Sequence, residues 1–213
     1  MEKVCQAELN DALHKGLTAE QCELLRSAHV AITGLGGLGS NVAVWLARIG
    51  VGKLTLIDFD KVELSNLNRQ YYFLSDVGKY KAEALLEHLR QINPYGKYDL
   101  HVAKLNEDNL AALLGEASII CEAFDNPESK AMLVNAVLSK YPEKYLVAAS
   151  GIAGFGARDN VNDLSIRKIN KHFYLCGDGV SDFTQLPLCG ARVGICAAQQ
   201  ALIIARIILG LDA

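Results

Sequence analysis

The run His29-Val30-Ala31-Ile32-Thr33-Gly34-Leu35-Gly36-Gly37-Leu38-Gly39-Ser40 decides the fold. A short apolar segment enters a glycine turn, and the turn opens onto residues 40–49, which are apolar at helical spacing and stop at Gly50. A buried strand, a glycine turn and a helix in that order begin a βαβ unit. Working outward, residues 53–57 read as a second strand finishing at Asp58, and residues 100–103, 117–121 and 146–149 as further strands. Helices over 77–92, 108–114 and 127–140 separate them, the last with Pro127 in its first turn. This alternation predicts an α/β fold: a Rossmann-like open, mostly parallel sheet flanked by helices.

The flanks are different. Residues 1–17 read as a short helical lead-in, and Thr18 with Gln21 forms a capping box for a helix over 19–27. Residues 161–169 alternate apolar and polar, which predicts antiparallel strand pairing in the C-terminal third. Residues 173–187 show no period and read as a loop before a helix over 191–209. The expected organisation is one domain over 1–213: the lead-in 1–17, a nucleotide-binding core 18–150, and a segment 151–213 carrying the antiparallel strands, loop and last helix.

Composition narrows the function. A net charge of −3, from 21 basic and 24 acidic residues, gives no electrostatic case for nucleic acid or an anionic membrane. Residues 192–210 form the most apolar stretch, but Arg192, Gln199, Gln200 and Arg206 interrupt it, so it reads as a buried or interface helix rather than a membrane span. The N-terminus lacks the pattern of a signal peptide. The cysteines (Cys5, Cys22, Cys121, Cys176, Cys189 and Cys196) form no C-x-x-C pair, so neither structural zinc nor a disulfide framework is expected. The expected setting is a reducing cytoplasm.

The chemistry begins at Gly34, Gly36, Gly37 and Gly39. Glycines in a strand–turn–helix setting let a phosphate approach backbone N–H groups, and Asp58 at the end of the second strand suits ribose hydroxyls. A dinucleotide enzyme shares both features. The next stretch separates the cases: Asp58-Phe59-Asp60-Lys61-Val62-Glu63-Leu64-Ser65-Asn66-Leu67-Asn68-Arg69-Gln70, then Lys81 near a helix start. Arg69 and Lys81 near the turn place positive charge on a triphosphate, which phosphoryl or nucleotidyl transfer needs and hydride transfer does not. Asp60 reads equally as a ligand contact or a turn former. Asp125, after the fourth strand, is placed to hold Mg²⁺ with phosphate oxygens, or to cap the helix at Pro127, a role its neighbour Asn126 can also take.

Taken together, GLGGLGS, DFDKVELSNLNRQ, GKYKAE and EAFDN resemble the ThiF/MoeB/HesA family of ubiquitin-activating-like adenylyltransferases, closely over about 19–150 and more loosely through ARVGICAAQQALIIARIILG. The short chain is most similar to the compact ThiF-type members of thiamin thiazole synthesis. The resemblance implies attack by the C-terminal glycine carboxylate of a ThiS-like, ubiquitin-fold sulfur-carrier protein on the α-phosphate of ATP, with pyrophosphate leaving. It implies ribose binding by Asp58, phosphate contacts from Asn66, Arg69 and Lys81, Mg²⁺ at Asp125, and a homodimer.

The chain departs from family patterns in having no zinc-binding cysteine pairs and no assignable N-terminal arginine that would act in trans. Cys189 and Cys176 lie in the region where some relatives form a covalent carrier intermediate. Cys189 has the more favourable setting, before Arg192 and a helix start. The competing functions are a non-catalytic carrier-binding subunit, an NAD-dependent oxidoreductase that leaves Arg69, Lys81 and Asp125 without roles, and an enzyme adenylating a small molecule or an RNA-linked carboxylate.

Overall fold

The order of strands in the sheet places the functional end of the molecule. The structure is a computed structural model and describes residues 4–156 and 163–211. Its strands, in chain order, are β1 (His29–Thr33), β2 (Lys53–Ile57), β3 (Lys97–His101), β4 (Ile119–Glu122), β5 (Tyr145–Ala149), β6 (Ser165–Asn170) and β7 (Phe173–Gly177). Among the described residues they form one sheet in the order β3-β2-β1-β4-β5-β7-β6. All neighbouring pairs are parallel except β6 with β7. The order reverses between β1 and β4, and the carboxyl ends of strands beside such a switch form a crevice.

The helices are α1 (Gln6–Leu13), α2 (Ala19–Ser27), α3 (Gly39–Arg48), α4 (Lys81–Ile92), α5 (Leu110–Leu114), α6 (Pro127–Lys140) and α7 (Gly190–Ile208). They cover both faces of the sheet. One apolar core joins α3, α4 and α7 to one face, through Val42, Leu46, Leu85, Leu89, Val193 and Ile204. A second joins α5 and α6 to the other, through Leu110, Leu114, Leu133 and Val137. Each fully buried Leu or Ile contributes about 1.5–3 kcal/mol. α7 is long and apolar enough to cross a membrane by length and composition, yet half of it is buried against this protein. Gln200 on its inner face donates to the Glu122 and Val147 carbonyls, tying the helix across β4 and β5.

Local chemistry explains most boundaries. Thr18 Oγ1 accepts the Gln21 amide and Gln21 Oε1 accepts the Thr18 amide, so the expected capping box starts α2. α4 begins at Lys81 rather than at residue 77, because the preceding chain is drawn into a turn: the Val62 amide donates to the Lys79 carbonyl and the Gly78 amide to the Val62 carbonyl. β3 begins earlier than expected, at Lys97, because it pairs in register with all of β2.

The expected loop over 173–187 is corrected at its start. Residues 173–177 are β7, inserted between β5 and β6, with Tyr174 and Cys176 buried. Five residues flanked by turn formers carry too little pattern to read as a strand. The expected antiparallel pairing is present as the β6–β7 hairpin; residues 161–162 of that expectation lie outside the described residues.

Candidate active site

The first wall of the site is the glycine turn between β1 and α3. Gly34 has φ +87°, and a Cβ there would lie 2.8 Å from the Ala123 carbonyl oxygen. A Cβ on Gly39 would lie 1.9 Å from the Gly34 carbonyl, so the turn closes this tightly only with glycine at both ends. Asp58 fastens the turn to β2: Oδ2 accepts the Leu35 amide at 2.6 Å and Oδ1 accepts the Asp60 amide at 2.7 Å. Burial pushes the Asp58 carboxyl up, and Lys81 and these two amides only partly offset it. A buried carboxylate with lone pairs to spare is suited to accept from hydroxyls.

Lys81 stands at the start of α4, 7% exposed, with Nζ 2.9 Å from Asp60 Oδ2. It is therefore no solvated surface lysine. Arg69 donates to the Ser65 carbonyl and to Asn68 Oδ1, and it forms no ion pair among the described residues. Asn126 Oδ1 accepts the Ser129 amide at 2.7 Å, so Asn126 caps α6 and Asp125 is left outside the cap.

These groups surround one cavity of about 570 Å³ at the carboxyl ends of the strands. Gly34, Gly36, Gly37, Asp58, Asp60, Arg69, Lys81 and Asp125 all line it. A Cβ on Gly36 would meet only Gln70 Nε2, at 3.7 Å, so the bare backbone leaves room for a ligand there. Gln70 Oε1, buried in the same wall, has no hydrogen-bond partner among the described residues. Beyond Asp58 the wall turns apolar, with Ile57, Phe59, Leu105 and Phe124, a surface for a purine ring. The fit to a nucleoside triphosphate is good. Among the described residues no cluster of three His, Cys, Asp or Glu side chains could hold a metal alone. Asp125 still fits Mg²⁺, which commonly takes one or two carboxylates and completes its shell with phosphates and water.

Four expected residues, Gly39, Asn66, Cys176 and Cys189, are not part of the cavity wall. Asn66 is buried outside the cavity wall, where its Oδ1 accepts the Glu63 amide and caps a short 3₁₀ turn. Cys176 is corrected as a covalent candidate: it is fully buried in β7, and burial pushes its thiol well above the usual range. Cys189 is half-buried at the N-cap of α7 and is not part of the cavity wall. Arg192, expected to favour its thiolate, is committed to Asp163 and Asp178.

The cavity also contains residues without a sequence-based expectation. Lys130 on α6 lines it, with Nζ 2.5 Å from the wholly buried Glu122 carboxylate and 2.9 Å from the Ala149 carbonyl. Lys104 lies over the Phe59 ring. Residues 150–153 and 179–183 extend the cavity past β5 to the end of β7. The position of residues 103–105 and 150–153 just after β3 and β5 was the available signal, because ligands bind beyond the carboxyl ends of parallel strands.

The sheet order and this site define an α/β protein with cationic groups beside a glycine turn at the carboxyl ends of its strands. The chain belongs to the ThiF family, whose family model matches residues 10–213. It is 42% identical over 130 residues to the adenylyltransferase and sulfurtransferase uba4 of Aspergillus terreus, covering 60% of this chain and 26% of that protein. It is 33% identical over 199 residues to the adenylyltransferase and sulfurtransferase MOCS3 of Culex quinquefasciatus, covering 88% of this chain and 43% of that protein. The chain thus spans less than half the length of these relatives. In fold it is similar to the tRNA N6-threonylcarbamoyladenosine dehydratase of E. coli in complex with AMP, with a TM-score of 0.81 at 21% identity over 99% of this chain and 98% of that one.

Proposed function

We propose that this chain binds ATP and adenylates the C-terminal glycine carboxylate of a small ubiquitin-fold sulfur-carrier protein, with a ThiS-like carrier of thiamin thiazole formation as substrate. One observation carries this reading: a single cavity joins a nucleotide half, built on the glycine turn and Asp58, to a second half over β5 and β7. Strands lie about 4.8 Å apart, so the stretch from β3 to β7 leaves space beside a nucleotide for an extended chain end.

In the proposed reaction the carboxylate oxygen forms a bond to the α-phosphorus as the bond from that phosphorus to the β-bridging oxygen breaks. Pyrophosphate carries away the electron pair. No general base is required, because the carboxylate is ionised at neutral pH. Asp58 orients the ribose. Arg69 and Lys81 offset the charge that builds on the leaving group. Asp125 would hold Mg²⁺, which supplies further charge neutralisation on phosphate oxygens.

The exposed apolar side chains Trp45 of α3 and Ile195 and Leu202 of α7 support a homodimer, measurable by light scattering.

The test is ATP–pyrophosphate exchange with a carrier ending in Gly-Gly, beside the same carrier lacking its last glycine. Exchange with the intact carrier alone is the expected result. A second reading, an RNA-linked carboxylate, is favoured by 40% identity over 114 residues to the tRNA threonylcarbamoyladenosine dehydratase of Escherichia coli. Exchange driven by threonylcarbamoyladenosine-bearing tRNA, and by no carrier, would replace the first reading with the second.

A further inference from the structure

The first turn of α7 touches both halves of the cavity. On the phosphate side, the helix starts hard against the segment bearing Arg69: a Cβ on Gly190 would lie 2.2 Å from the Asn68 carbonyl oxygen. Val193 packs on the glycine turn, where a Cβ on Gly37 would lie 2.9 Å from its Cγ1. On the other side, Arg192 is 5% exposed and donates to two carboxylates, Asp163 at 2.5 Å and Asp178 at 2.6 Å. Asp178 is the organising residue of the loop beyond β7. Its Oδ1 accepts the amides of Val180 and Ser181, each at 2.8 Å. The same loop is laced to the end of β5: the Asp178 amide donates to the Gly151 carbonyl, the Gly179 amide to the Ser150 carbonyl, and the Ala153 amide to Ser181 Oγ.

A buried guanidinium holding two carboxylates is a costly arrangement unless its geometry is fixed, and replacing one partner leaves a charge uncompensated. Here the fixed geometry spans α7 and the loop that walls the second half of the cavity. We propose that Arg192 is a positioning residue that sets this loop, through Asp178, in register with the phosphate-binding wall, so that an extended peptide end entering over β5 and β7 meets the α-phosphate. Arg192 touches neither substrate. The inference rests on the adenylation reading above and identifies the loop over 178–183 as its peptide-binding wall.

The test compares Arg192→Met, Arg192→Lys and Asp178→Asn in the full chain. Two readouts are taken. Amide hydrogen exchange reports on residues 178–183 and 34–39 whatever the reaction proves to be. Pyrophosphate exchange gives separate KM values for ATP and carrier. The expected result is lost protection at 178–183 with 34–39 unchanged, and a carrier KM raised about ten- to a hundredfold while the ATP KM moves about twofold or less. Arg192→Lys, which keeps the charge but cannot fork to two carboxylates, should fall between wild type and Arg192→Met. Asp178→Asn preserves shape and keeps the test open if Arg192→Met fails to fold. Equal losses in ATP and carrier terms, or an unchanged carrier KM, overturn the positioning role. Unchanged protection at 178–183 overturns the clamp itself. Lost protection at 178–183 with no exchange by any carrier in wild type would keep the clamp and overturn the adenylation reading, and with it the peptide role.

Discussion

Asp58 Oδ2 accepts the Leu35 amide at 2.6 Å, so one carboxylate closes the glycine turn while facing the cavity. Asp58→Ala leaves the Leu35 and Asp60 amides without their acceptor. The expected outcome is a stability loss of about 1–3 kcal/mol by urea denaturation. In calorimetry the same variant should bind ATP about tenfold or more weakly, since the ribose loses its acceptor. Unchanged ATP affinity would remove Asp58 from the site.

Lys130 is the counter-ion of a carboxylate that has no solvent contact. Lys130→Met should cost about 3–5 kcal/mol, because Glu122 is left buried and charged. Adding Glu122→Gln should recover much of that loss. Burial already pushes the Glu122 carboxyl up, and loss of Lys130 pushes it further. A carboxyl raised in the folded state binds protons more readily when folded, so the deficit of Lys130→Met should shrink as pH falls toward the carboxylate range. A deficit independent of pH, measured across urea series, would contradict this.

Asp178 has the opposite sign. Burial raises its carboxyl, but the bonds from Ser181, Val180 and Arg192 outweigh it and hold it below its usual range. Its contribution is present above the unfolded carboxylate value of about 3.9 and is lost as pH falls through the folded value. The stability gap between wild type and Asp178→Asn should therefore close below about pH 4. A gap that widens in acid would show that the carboxylate is not stabilised by these bonds.

All six cysteines are free thiols, in unequal settings. Cys121, Cys176 and Cys196 are buried, and burial pushes the Cys196 thiol up to about 12. Alkylation of the native protein should label exposed Cys5 first, Cys22 and Cys189 more slowly, and the three buried thiols only after unfolding. Peptide mapping by mass spectrometry reads the order directly. Rapid native labelling of Cys176 would contradict its burial in β7.

The parallel half of the sheet was legible because buried strands, the glycine turn and Pro127 each leave a local mark. Gly34, Gly36, Gly37, Asp58, Asp60, Arg69, Lys81 and Asp125 were legible for the same reason: they follow strand ends or motifs, and the structure brings them to one cavity. β7 was not, since five residues between turn formers carry no decisive period. Asn66 shares its motif with Arg69, but its carboxamide is spent on the Glu63 amide. Lys130 reads as an ordinary helix lysine until the fold brings Glu122 and the Ala149 carbonyl to it. The loop over 179–183 lacks any motif, and its role in the wall comes only from pairing of β7 beside β5.

The most direct test is chemical trapping of the intermediate. A carrier ending in Gly-Gly is incubated with the protein, ATP, Mg²⁺ and hydroxylamine, and the carrier's intact mass is measured. Formation of an acyl-adenylate at the terminal carboxylate converts it to a hydroxamate. The expected result is one hydroxamate per carrier that requires ATP and is lost with Arg69→Ala or Asp125→Ala. An unmodified carrier, in the presence of protein that binds ATP, would contradict adenylation of a carrier carboxylate.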